Sequence, residues 1–346
     1  MQKSLMNHLI LRSILVLSIC FSCVRMPMAG DIVINAVGDV MLAGRWANDI
    51  KARGYAYPFE AVKGELAAAD INLANLESPL GKGGREYTGK KFRFRGAPEV
   101  ATALADAGFD VVTLANNHIM DYGAGALSET LVSLDKADVA WIGAGKSLIE
   151  ARKSAVFEVK GKKVAFLGYS LTQPTEFFAG PRRAGTAPGY EQYFVPDISA
   201  ARKEADYVIV SFHWGKEGSG KVQAYQRAAA RKAILAGADA VIGHHPHVLQ
   251  GVERFRNGII FYSLGNFAFA SKSRTAEYGA MVRLRLGHGR REAEVLPLDV
   301  LSRRVHFQPR LLKGQQALQV ISEMNRLSLP MKTRIDLIDG RYAIRF

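Results

Sequence analysis

The chain has 346 residues, 48% of them hydrophobic, enough for one large core or two smaller ones, with no low complexity and no internal repeat. A formal charge of +14 favours anionic partners such as acidic polymers or lipid head groups, but the 46 basic residues are scattered, so no nucleic-acid partner is expected. Both cysteines, Cys20 and Cys23, precede residue 31, which leaves the rest of the chain without a thiol for a disulfide, a nucleophile or a metal.

Residues 1–30 read as a secretory leader. Lys3 and Arg12 precede the apolar run SILVLSICFSCV (13–24), and Ala29 and Gly30 follow as small residues suited to cleavage. The run is about 12 residues long where a spanning helix needs about 20. The expectation is an exported, periplasmic or extracellular protein; an uncleaved leader acting as a membrane anchor is the alternative.

Beyond the leader, short apolar runs predict strands at 31–37, 71–76, 109–115, 154–159, 163–169, 206–212, 239–243 and 258–264. Amphipathic stretches predict helices at 98–107, 123–137, 197–205 and 222–236. Pro98 suits the first turn of its helix and Gly108 its end. This alternation predicts an α/β fold with a substantial sheet. GAMVRLRL (279–286) and REAEVLPL (291–298), joined by GHGR, predict a hairpin added to that sheet. A helix at 315–328 and a polar tail close the chain. No linker divides it, so one domain is expected over 31–310, with 311–346 packed on it or extending it.

Polar residues gather where the predicted strands end. Gly38-Asp39 follows the first, Glu77 the second, Asn116-Asn117-His118 the third, His213-Trp214 the sixth and His244-His245-Pro246-His247 the seventh. Singly these are ordinary: an aspartate in a turn, a glutamate opening a loop, a hydrogen-bonded structural histidine. Jointly they place five strands' acids, amides and imidazoles at C-terminal ends, where α/β sheets bind ligands. Five of the eight histidines fall in three such stretches, which favours a shared metal site. Oxygen and imidazole donors suit one or two divalent ions such as Mn, Zn or Fe rather than Ca. Two ions about 3.5–4 Å apart can hold a hydroxide and clamp a phosphoryl group. His245 and His247, separated by one proline, are expected to face different ways and serve different ions, or one ion and one substrate.

NAVGDVML, NLANLESPL, FRFRGAPEVATALADAGFDVVTLANNHIMDYG, VSFHWGKE, DAVIGHHPHVLQG and FYSLGNF, spanning about 31–270 in order, resemble the successive motifs of the CapA/PgsA capsule-synthesis family, associated with poly-γ-glutamate. That resemblance implies the calcineurin-like metallophosphoesterase fold, a four-layer αββα sandwich with mixed sheets. It also implies that Asp39, Glu77 and His247 hold one ion, and Glu77, Asn117, His213 and His245 another. His118 then protonates the leaving group or stabilises the transition state. Asn116 then supports the ligands, His244 supports them or is structural, and Asn266 of SLGNF supports the site or makes a turn. The chain departs from the fold's usual pattern twice: Met41 stands where a histidine is usual, and the bridging acid is a glutamate.

Three further stretches have competing readings. GKEGSGKV (215–222) nearly spells a phosphate-cradling loop, but Val222 replaces the hydroxyl that would hold Mg²⁺. Lys216, Glu217 and Lys221 then line the site's rim or are merely solvated, and Trp214 accompanies them. WIGAGKSL reads as a turn. In GKKFRFRG (89–96), Arg93 and Arg95 grip an acidic polymer or phosphate while Phe92 and Phe94 pack inward, or the stretch is an edge strand with a charged face. The favoured function is an exported metal-dependent hydrolase of capsule synthesis, acting on a phosphoester or, with less support, on an amide of an acidic polymer. The alternative is a non-catalytic envelope component that binds or helps export an anionic polymer; other capsule-synthesis or membrane proteins are the partners expected in either case.

Overall fold

The computed structural model describes residues 30–44, 47–269, 276–287 and 289–346. The expected leader lies, but for Gly30, outside them. Side-chain alternation explains the layering. In the strand Lys162–Ser170, Phe166 points one way and Ala165 and Leu167 the other; in Tyr207–His213, Ile209 opposes Val208 and Val210. A strand buried on both faces must be covered on both, and three separate cores do this. The innermost joins Ile34, Leu73, Val282 and Val295 of one sheet to Phe166, Ile209 and Ile242 of the other. The second packs Val37, Leu76 and Val112 under the helices Glu99–Ala107 and Gly123–Lys136, through Leu104, Leu127 and Leu131. The third packs Val208, Val210 and Val241 under Glu191–Glu204 and Ala224–Ala236, through Phe194, Ile198 and Ala233. The result is the expected four-layer αββα sandwich.

The larger sheet has ten strands, eight of them ordered Asp336–Ile338, Arg341–Arg345, Arg290–Asp299, Tyr278–Gly287, Ile32–Met41, Ile71–Leu76, Val111–Thr113 and Ala140–Ile142. The last four run parallel. Asn266–Phe269 and Arg310–Leu311 pair with it off this path. The smaller sheet is ordered Val252–Phe255, Gly258–Phe261, Ala240–His244, Tyr207–His213, Lys162–Ser170 and Ala155–Val159, with its four central strands parallel. Both sheets are mixed, and the predicted 279–298 hairpin joins the larger one.

Several expectations need correction. The first strand runs on to Met41, so Asp39 lies inside it, beside a register shift between Ala36 and Asp39 that re-aims the following side chains. The helix expected at 197–205 begins at Glu191, because Pro196 removes one backbone bond without ending a helix anchored by Phe194 and Ile198. The polar tail is a hairpin on the sheet edge, since Tyr342 and Ile344 alternate into the inner core. The helix Gly314–Ser328 packs Val320, Ile321 and Met324 against the same core. Residues 89–96 form neither an edge strand nor an inward-facing aromatic pair: the stretch is irregular, Phe92 is 62% exposed, and only Phe94 packs inward. Among the described residues no helix is long and apolar enough to cross a membrane.

Candidate metal centre

Two glycines let neighbouring segments within each sheet approach closely at the strand ends. A Cβ on Gly38 would lie 2.0 Å from the Gly265 carbonyl oxygen, and one on Gly243 would lie 2.0 Å from that of Tyr262. Any side chain there would force the strands apart. The close approach at Gly38 holds Asp39 in register with Asn266, and the Asp39 N–H donates to the Gly265 carbonyl at 3.0 Å.

The sheets' parallel strands deliver their polar ends to one buried cluster. Asp39 Oδ2 lies 3.0 Å from His247 Nδ1, and Asn266 Oδ1 lies 3.0 Å from the same nitrogen. A proton shared between those two acceptors sits on Nδ1, which leaves Nε2 with its lone pair. That Nε2 faces Glu77 Oε1 at 3.7 Å, and His213 Nε2 also lies 3.7 Å from Glu77 Oε1. Both distances exceed a hydrogen bond, and Glu77 Oε1 is buried without any hydrogen-bond partner. An orphaned carboxylate oxygen costs free energy unless something else satisfies it. Two donors each about 2.0–2.2 Å from one cation are separated by about this gap. Glu77, His213 and His245 have ligand atoms all within 4.8 Å of one another, and so do Asp39, Glu77 and His247. Asn117 Oδ1 joins the first group at 2.9 Å from His213 Nε2, and His245 Nδ1 is another buried atom without a partner. The donor set and its unsatisfied atoms fit a divalent cation.

The alternate facing expected of His245 and His247 fails on two counts: residues two apart in extended backbone share a face, and the segment is not extended. His245 and His247 adopt left-handed backbone, φ +95° and +59°, around Pro246, so both imidazoles turn to the same side with ring centroids 5.9 Å apart. Such conformations cost about 1–3 kcal/mol each and persist where surrounding contacts impose them.

Electrostatics point the same way. Burial would raise Asp39, but the imidazoles of His244 and His247 beside it outweigh that and hold the carboxyl well below its usual range. Burial, with Asp39's charge beside it, pushes Glu77 well above. Burial, reinforced by His247, brings His245 down to about 3, and burial with His245 lowers His213 well below the usual imidazole value. Burial opposes a charge on His247 too, yet Glu77 and Asp39 push it up to about 9. Without a cation the cluster's positive charge therefore falls on His247, which would give up its Nε2 proton on binding one, while His213 and His245 are already neutral, as metal ligation requires.

Residues that support these groups include some that sequence reasoning missed. Asn75 is the hub: its Nδ2 donates to Asp39 Oδ1 at 2.8 Å and to Glu77 Oε2 at 3.1 Å, and its Oδ1 accepts from Asn116 at 3.0 Å. Asn116 Oδ1 in turn caps the His118 and Ile119 amides. Asp121 Oδ2 lies 2.7 Å from His118 Nδ1, and Lys90 reaches Asp121 Oδ1 at 2.7 Å and the Asn117 carbonyl oxygen. His118 Nδ1 gives its one proton to Asp121, so the 3.0 Å between it and Lys90 is proximity rather than a second hydrogen bond. Burial lowers His118, with Asp121 opposing. Phe94 packs on the ring at 4.8 Å.

Other predicted site residues fall elsewhere. Trp214 is fully buried in the outer core, stacked on Phe212 at 4.6 Å with its N–H on the Tyr262 carbonyl. Arg93 binds Glu86, and Arg95 binds the Lys82 and Gly83 carbonyls and covers the Tyr122 ring. Neither arginine is brought to the cluster. His244 is buried with Nδ1 3.2 Å from Asp39 Oδ1, at an angle that makes no hydrogen bond. Glu217 stands at the exposed rim, its carboxylate grouped with His245 and His247 within 4.8 Å. Met41 is buried in the outer core, in register with Phe269, which packs on the His247 ring at 4.7 Å.

Fold and cluster together define a four-layer α/β protein with carboxylate, amide and imidazole groups converging where its two sheets meet. The family model described as bacterial capsule synthesis protein PGA_cap matches residues 33–271, and the chain belongs to that family, as a capsule biosynthesis protein of CapA type. It is 35% identical over 276 residues to the PGA biosynthesis protein CapA of Bacillus subtilis, covering 78% of this chain and 72% of that one. It is 34% identical over 278 residues to the capsule biosynthesis protein CapA of Bacillus anthracis, covering 78% and 67%. Among solved structures it is similar to a 5'-nucleotidase precursor from Thermus thermophilus, with TM-score 0.46, 13% identity and coverage of 87% and 59%.

Proposed function

We propose that the chain is an exported, metal-dependent hydrolase of capsule synthesis that cleaves a phosphoester. The observation that carries this is the buried, unpartnered Glu77 Oε1, equidistant from the Nε2 atoms of His213 and His247. Asp39, Glu77 and His247 would hold one ion, and Glu77, Asn117, His213 and His245 a second, with Glu77 between them. A bound divalent cation supplies Lewis acidity to a phosphoryl oxygen and raises the acidity of a water. The chain's own residues do the rest. Asp121 fixes His118 with its proton on Nδ1, leaving Nε2 to pass a proton to or from the leaving-group oxygen. Asn116 holds the backbone of that loop, and Asn75 keeps both carboxylates in place. The site opens at His247, whose side chain is 19% exposed.

The relatives' names refer to PGA biosynthesis and polyglutamine synthesis, which supports an anionic polymer or its phosphorylated precursor as the material handled, with other capsule-synthesis proteins as partners. The basic, apolar leader supports export. The test is to purify the chain, quantify Mn, Zn and Fe per protein, and assay phosphomonoesters, phosphodiesters and a γ-glutamyl polymer. Chelator-sensitive phosphoester turnover that Asp39→Ala and His118→Ala abolish is expected. Turnover unchanged in both variants removes the enzyme, and cleavage of the polymer's amide alone replaces the substrate class.

A further inference from the structure

The geometry points to a subsite for a linear, carboxylate-bearing chain beside the metal centre, in the trough between the loop 215–222 and the turn after helix Gly314–Ser328. The inference rests on the reading above for the nature of the polymer, and on the following for its place. A cavity of about 1220 Å³ is lined there by Lys216, Lys221, Arg227, Arg231 and Arg326, against a single acid, Glu217. Arg227 and Arg231 share the one carboxylate of Glu253, and Arg326 pairs with Glu323. The ammonium groups of Lys216 and Lys221 have no ion pair or hydrogen bond among the described residues, so positive charge is in excess. This loop is the one whose sequence nearly spells a phosphate cradle, a role that Val222 denies it.

The loop is built rather than merely exposed. The Gly218 N–H donates to the Pro246 carbonyl at 2.9 Å, which ties the loop to the residue between the two site histidines. Gln250 Nε2 donates to the Ser219 and Lys221 carbonyls at 2.9 and 3.2 Å, and Gln226 fixes Gln250 at 3.0 Å. Glu217 lines the cavity and also places its carboxylate among His245 and His247, so trough and metal centre are continuous. A second hollow of about 310 Å³ shares Gly218 and Arg326 with the first and reaches Val248 and Leu249, directly after His247.

The shape and chemistry select the occupant. The volume exceeds what one phosphate needs and also exceeds the about 300–1,000 Å³ typical of small-ligand sites, which leaves room for several repeat units of a chain. Leu327, Pro330 and Met331 give it apolar lining for hydrocarbon segments, while Lys216, Lys221, Arg227, Arg231 and Arg326 supply cations for carboxylates. No aromatic side chain lines it, which removes the stacking platform that single-stranded nucleic acid requires.

The test measures fluorescence anisotropy of a labelled ten-residue γ-linked glutamate oligomer with the purified full chain in chelator, so that the metal centre does not enter. Wild type is compared with Lys216→Glu plus Lys221→Glu, and with a control of equal charge change at two exposed lysines outside the cavity, Lys136→Glu plus Lys153→Glu. The oligomer should bind saturably, the cavity pair should weaken it at least about tenfold, and the control pair less than about twofold. No binding, equal weakening by both pairs, or equally tight binding of a ten-nucleotide dT oligomer overturns the subsite. Failure of the hydrolase reading would instead show as phosphoester turnover indifferent to Asp39 and His118, with oligomer binding intact.

Discussion

Glu77→Gln separates a metal ligand from a structural acid, because the two roles predict opposite signs. Glutamine keeps the shape and the oxygen that accepts from Asn75, and removes only the charge facing His213 and His247. Burial and the Asp39 charge already disfavour that carboxylate, so its folded value lies above the ordinary 4.5. A raised acid contributes stability below about pH 4.5 and loses it as pH rises through the folded value, so at pH 8 the ionised group is a cost. In chelator, the variant should therefore melt at or above the wild-type temperature, by up to about 4 °C for about 2 kcal/mol recovered. With metal the order reverses. At one hundred times its Kd, a cation stabilises wild type by about 2.7 kcal/mol, which is about 5 °C in a chain of this size. Glu77→Gln should lose that gain, with metal affinity down at least about 100-fold. Differential scanning fluorimetry with chelator and with Mn²⁺ or Zn²⁺ reads both. A variant that melts well below wild type in chelator, or keeps the full metal-induced shift, refutes the reasoning.

Asp121→Asn should reduce phosphoester kcat about 10²–10⁴-fold while leaving bound metal unchanged, because it disturbs the His118 tautomer and no cation ligand; parallel loss of metal in elemental analysis would contradict this. Gly38→Ala forces a Cβ to 2.0 Å from a carbonyl oxygen at the rim and should cost about 3 kcal/mol or more together with metal content, measured by thermal melting and metal analysis. Trp214→Phe leaves the Tyr262 carbonyl without its donor and should cost about 1–3 kcal/mol of stability, with metal affinity kept within a few-fold. Retained stability with lost metal would place Trp214 in the site after all.

The layering was legible because the strands alternate with amphipathic helices, and the cluster because its ligands sit at strand ends, where spacing alone exposes them. What escaped depended on pairing or on local backbone. Asn75 looks like a polar residue inside an apolar strand until the register sets it beside Asp39 and opposite Thr113. Lys90 and Asp121 are 31 positions apart, and only the fold of the loop joins them. The alternate facing expected of His245 and His247 mistook the strand period, which sets residues two apart on one face, and two left-handed residues around Pro246 take the segment out of extended backbone altogether. The terminal hairpin was hidden because Arg341 and Arg345 flank its short apolar alternation. Arg93 and Arg95 carried the right chemistry for an anion, but nearby carbonyls, Glu86 and Tyr122 already occupy them.

Anomalous diffraction from crystals grown with Mn²⁺ or Zn²⁺ addresses the central claim most directly. The account predicts a peak within about 2.0–2.3 Å of Glu77 Oε1 and the Nε2 atom of His213 or His247, and a second beside it if both ions bind. Crystals in which the cation avoids Glu77, or occupies only surface carboxylates, would contradict it.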